Sequence, residues 1–93
     1  MLPLVPFRRF TSAQKVPDDV VKVVIFVSDG NAVAEVAWRA NALTDGGDYL
    51  YPTIVPLALE RAEDVRENYN FGEVVVVIDD VTLWDGIWGR LED

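Results

Sequence analysis

Glu73-Val74-Val75-Val76-Val77-Ile78-Asp79-Asp80 is the stretch whose reading decides the fold: five consecutive β-branched apolar residues run straight into two carboxylates. A strand solvated on one face alternates apolar and polar residues, whereas an unbroken Val/Ile run suits a strand covered on both faces. Residues 73–79 are therefore expected to be a central parallel strand of a small α/β sheet. Working outward, Val20-Val21-Lys22-Val23-Val24-Ile25-Phe26-Val27 is a second run of the same kind, so a parallel strand is expected over about 20–28.

Ser28-Asp29-Gly30-Asn31 stops that strand, and its short polar side chains suit the cap of a following helix. Val33, Val36, Ala37, Ala40 and Leu43 then recur at helical spacing, which predicts a helix over about 31–43 with a Glu35/Arg39 pair on its surface and Trp38 on its flank. Thr44-Asp45-Gly46-Gly47-Asp48 ends it. Residues 49–55 are strand-like in composition, but Pro52 restricts them to an edge strand or an extended linker. Pro56 suits the first turn of a helix over about 56–69 that buries Ala58, Leu59, Ala62, Val65 and Tyr69, and Asn70-Phe71-Gly72 closes it before the Val74 run.

The expected organisation is a basic, proline-containing leader or arm over 1–19 and a single α/β domain over 20–93. Phe7-Arg8-Arg9-Phe10 reads as an extra strand or as an arm, and the tail beyond Asp80 carries Trp84 and Trp88. The order is β-α-β-α-β with a short middle strand, or β-α-α-β, with right-handed crossovers.

Composition narrows the chemistry. The chain has no histidine and no cysteine, which removes the usual general base near neutral pH and every thiolate nucleophile or ligand. No glycine-rich phosphate loop follows a strand. The net charge is −8, unevenly spread: residues 1–22 carry +2 and residues 23–93 carry −10. An acidic body repels nucleic-acid phosphates and favours basic partners. Neither a membrane-length apolar run nor a signal-peptide pattern is present, so a cytoplasmic location is expected.

Three groups of residues are candidates for function. Asp29, Asp79 and Asp80 follow the two strong strands; at the carboxyl edge of one parallel sheet they would form an oxygen-ligand site for Mg²⁺ and phosphoryl chemistry, or else only cap turns. Glu60, Glu63, Asp64 and Glu67 fall at i, i+3, i+4 and i+7 of the second helix, an acidic stripe suited to a basic protein surface. Trp84 and Trp88 either cover the sheet or anchor a partner. The principal expectation is a non-catalytic interaction module, homodimeric through an open sheet edge or the tail, with no cofactor and with an inhibitor, antitoxin or immunity-type role. A Mg²⁺-dependent phosphate-binding domain and a structural subunit are the alternatives.

Overall fold

The computed structural model describes residues 6–48 and 51–92. Among these residues the chain forms one mixed sheet of six strands with a single α-helix. The strands are β1 (Pro6–Phe10), β2 (Val20–Ser28), β3 (Asn31–Trp38), β4 (Gly47–Asp48), β5 (Glu73–Ile78) and β6 (Arg90–Glu92), with α1 (Val55–Tyr69) between β4 and β5. Their spatial order is β4-β3-β2-β5-β1-β6.

The Val/Ile run is the centre, as its composition requires. β5 pairs in parallel with β2 on one side, Val23 opposite Val76, and with β1 on the other, Arg9 opposite Val76. Val74 to Ile78 are all buried. Val74, Val76 and Ile78 join Val21, Val23 and Ile25 of β2 and Ala34 and Val36 of β3 in the core beneath α1, to which the helix contributes Val55, Ala58, Ala62 and Val65. Val75 and Val77 point to the opposite side and are buried there as well, beside Lys22, Val24 and Phe10.

The segment expected to be a helix over 31–43 is a strand. Ser28 pairs with Asn31, so Asp29-Gly30 is a two-residue loop, and both residues have positive φ, 51° and 80°. That is the backbone of a tight hairpin whose twist matches its strands, and Asp-Gly is among the pairs that adopt it most readily. β3 then runs antiparallel along β2, from Ser28 opposite Asn31 to Val21 opposite Trp38. Once the turn sets this register, alternation replaces helical spacing: Ala34 and Val36 enter the core while Val33, Glu35 and Ala37 face the other side. The Glu35/Arg39 pair does not form, and Arg39 instead bridges Asp18. Trp38 lies over the sheet edge, stacked on Tyr69 at 6.3 Å, its Nε1 donating to Thr44 Oγ1 at 3.3 Å.

Of the edge segment expected over 49–55, residues 49 and 50 lie outside the described residues. β4 pairs with Trp38 and Ala37, and Thr53 exchanges backbone hydrogen bonds with Ala34 at 2.8 and 3.0 Å. The helix expected over 56–69 forms as Val55–Tyr69 and ends at Asn70 in the left-handed conformation.

Residues 6–10 stand inside the sheet as β1, between β5 and β6. The three crossovers share one handedness rule. The β4–α1–β5 and β5–β6 connections advance across the sheet in one direction and cover the same face, with Trp84, Trp88, Phe7 and Leu91 packed on the core beside α1. The β1–β2 connection runs in the reverse direction and belongs on the opposite face, where Val16 and Pro17 line a cleft with Val20 and Lys22.

Candidate functional site

The carboxylates of Asp79 and Asp80 serve local structure. Asp79 follows β5 and accepts the Ser12 N–H at 2.8 Å and the Ser12 hydroxyl at 2.7 Å, which ties the β1–β2 connection to the end of the central strand. Those two hydrogen bonds, with help from the Arg9 charge, hold the Asp79 carboxyl below its ordinary pKa. Arg9 itself donates to the carbonyl oxygen of Ile78 at 3.2 Å. Asp80 caps the 3-10 turn at Val81–Leu83, accepting from the Thr82 hydroxyl at 2.6 Å and the Thr82 N–H at 3.0 Å, and these bonds lower its pKa too. Asp29 sits at the hairpin tip. Because Ile25 is level with Ile78, Asp29 lies three positions further along the strand axis than Asp79, a displacement of about 10 Å. No group of three or more potential ligands gathers around one point among the described residues.

The helix stripe is present as a surface. Glu60, Glu63, Asp64 and Glu67 are all exposed, while Ala58, Ala62 and Val65 of the same helix are buried. Arg66 partly offsets two of them, its Nε donating to Glu63 at 2.9 Å and its Nη2 standing 3.8 Å from Glu67. Exposed pairs of this kind contribute about 0–1 kcal/mol, so they shape the local field more than the stability.

Trp84 and Trp88 are half-buried. Their rings meet edge to face at 5.3 Å, Trp84 meets Phe7 in the same way at 5.9 Å, and Trp84 Nε1 donates to the Gly89 carbonyl at 3.0 Å. Between them Ile87 is 79% exposed on a turn that Asp85 caps. Glu63 and Arg66 of α1 line a cavity of about 210 Å³ together with Phe7, Glu73 and Val74.

A second cavity escaped sequence reasoning. Lys15, Lys22 and Arg39 converge on a cleft at the start of β2 and the end of β3. These residues are far apart in the chain, and only the hairpin register brings Lys22 alongside Ala37. The one readable signal is Lys22 itself, a lone charge inside an otherwise apolar run.

Fold and surfaces thus define a small mixed α/β protein with four exposed carboxylates along its helix. Comparison with known protein families, curated proteins and solved structures finds no match to this chain. None of the described helices is long and apolar enough to cross a membrane.

Proposed function

We propose that the chain is a non-catalytic interaction module that binds a basic protein surface on its helix side. The observation that carries this reading is the groove shared by Glu63 of α1 and Phe7 of β1, because Trp84 packs on Phe7. The acidic stripe and the tryptophan-containing tail therefore border one surface. A basic partner would meet Glu60, Glu63, Asp64 and Glu67 along the helix and the exposed Ile87 on the tail. Trp84 and Trp88 would act from beneath, fixing the shape of that tail. Complementary charge of this kind raises the association rate and makes it fall with salt.

Self-association is the weaker part of the reading. Among the described residues the sheet ends in β4, of two residues, and β6, of three. Short edge strands resist pairing with another chain.

The test is affinity capture with the whole chain as bait, at low and at high salt, repeated with Glu60, Glu63, Asp64 and Glu67 all replaced by Gln. Loss of the captured protein in the variant, and at high salt in the wild type, supports the reading. Equal capture by both chains refutes it.

A further inference from the structure

The cleft at the start of β2 has the opposite character to the rest of the molecule. The whole chain carries eight basic residues against sixteen acidic ones, yet three of the eight line this one cavity of about 170 Å³. Lys22 reaches it from β2, Arg39 from just beyond β3, and Lys15 from the β1–β2 connection, so three separate segments converge. Arg39 has a partner in Asp18. Lys15 and Lys22 have no ion pair among the described residues, and Lys22 is half-buried beside the fully buried Val75. An ammonium partly withdrawn from water without a counter-charge is an unfavourable arrangement that a bound anion relieves.

The balance of charge specifies the anion. Lys15, Lys22 and Arg39 together with Asp18 leave two positive charges uncompensated. Two carboxylates are equally near by register: Glu35, two positions from Ala37 on β3, and Glu73, two positions from Val75 on β5 and already paired with Arg8. Lysine acts as a point charge and arginine as a planar donor fork, the pair of chemistries that suits phosphate oxygens. Val16, Pro17 and Val20 supply an apolar wall next to the cations, and Gln14 adds a polar group at the rim. A cavity of about 170 Å³ is smaller than a typical pocket for a drug-sized molecule, so the ligand is a phosphate group with a short organic portion.

We propose that the cleft bounded by Lys15, Lys22 and Arg39 binds a small soluble phosphomonoester, its dianionic phosphate between the two lysines and its organic portion against Val16 and Val20. This site is on the face of the sheet opposite α1, so it is independent of the protein-binding surface proposed above.

Calorimetric titration of the full chain with inorganic phosphate and with glycerol phosphate, against sodium chloride at equal ionic strength, tests the proposal. Saturable heat from both phosphates and none from chloride is expected. Lys22→Met keeps the aliphatic stem and removes the charge, and Lys15→Met does the same on the exposed connection. Each should weaken binding by about tenfold, the value of one charge-assisted hydrogen bond. Glu35→Gln should tighten binding. Should the lysine at 22 prove necessary for folding, Lys15→Met alone carries the test. Phosphate heat equal to that of chloride, affinity unchanged in Lys15→Met, or malonate binding as tightly as phosphate would each overturn the assignment.

Discussion

Gly30→Ala separates a hairpin from a helix start at residues 28–31. Gly30 has φ of 80°, and a Cβ built on it has no heavy atom within 4 Å, so a methyl group there meets no steric obstacle. The whole effect is then conformational. Placing an L-residue in the left-handed region costs about 1–2 kcal/mol, and the lower entropy of the unfolded alanine chain offsets about 0.4–1 kcal/mol of that. A net loss of about 1 kcal/mol remains. For a chain of this size urea slopes start at about 1 kcal/mol per molar, so the midpoint of urea unfolding should fall by about 0.5–1 M at unchanged slope. Gly30→Asn, whose side chain tolerates positive φ, should fall between wild type and alanine. In a helix-start geometry the same Gly→Ala change would be neutral or stabilising, since alanine is the better helix former. A midpoint that stays or rises on Gly30→Ala would refute the hairpin and, with it, the register of β3.

Deleting residues 1–10 removes β1, which strips β5 of one neighbour and leaves β6 without a partner; circular dichroism melting should show the loss of a cooperative transition, whereas a dispensable arm would leave it intact. Trp84→Ala removes the ring contacts with Phe7 and Trp88 and the bond to the Gly89 carbonyl, and denaturant titration should register a loss of about 2–4 kcal/mol. Asp79 has its pKa lowered in the folded chain by the Ser12 bonds, so its contribution is present above the ordinary carboxylate value of 3.8 and disappears as pH falls through the lower folded value. Melting temperatures of wild type and Asp79→Asn should therefore differ near neutral pH and converge below about pH 4; a constant gap would show that the bonds to Ser12 do not depend on the charge.

The parts of the fold that were legible are those where residue type alone decides. A run of Val and Ile has one low-energy use in a small domain, and β2 and β5 fall where those runs lie. α1 was legible because Pro56, the buried alanines and Asn70 agree on its start, its inner face and its end. β3 was not, because Asn31–Trp38 satisfies two periods at once. Val33, Val36 and Ala37 fit a helix, and Ala34 and Val36 fit a strand. Alanine and glutamate favour the helix locally, but the edge of β2 offers a ladder to a segment that a two-residue turn has already folded back against it. Tertiary pairing overrides local propensity here. β6 was hidden for a different reason, being three residues long and paired with a distant strand, and β1, open in sequence between an extra strand and an arm, is likewise short and without a periodic signature of its own.

The turn at Asp29-Gly30 also governs which surface residues meet. With residues 31–43 helical, Glu35 and Arg39 would neutralise each other one turn apart. As a strand, the chain sends Glu35 to the face opposite α1 and leaves Arg39 beyond the strand end, bridged to Asp18 and beside Lys22. The same register that removes a surface ion pair thus assembles a cationic cleft in an acidic protein. Charge totals, which sequence reports directly, favoured a basic partner and nothing else. The cleft depends on which side of the sheet each charge occupies, and a change of one residue in the turn would reverse that side for every residue of β3. Insertion of one residue between Asp29 and Gly30 should therefore displace Arg39 from the cleft and weaken phosphate binding there while Lys15 and Lys22 keep their places on the β1–β2 connection and β2, which ties the third cation of the site to the hairpin register.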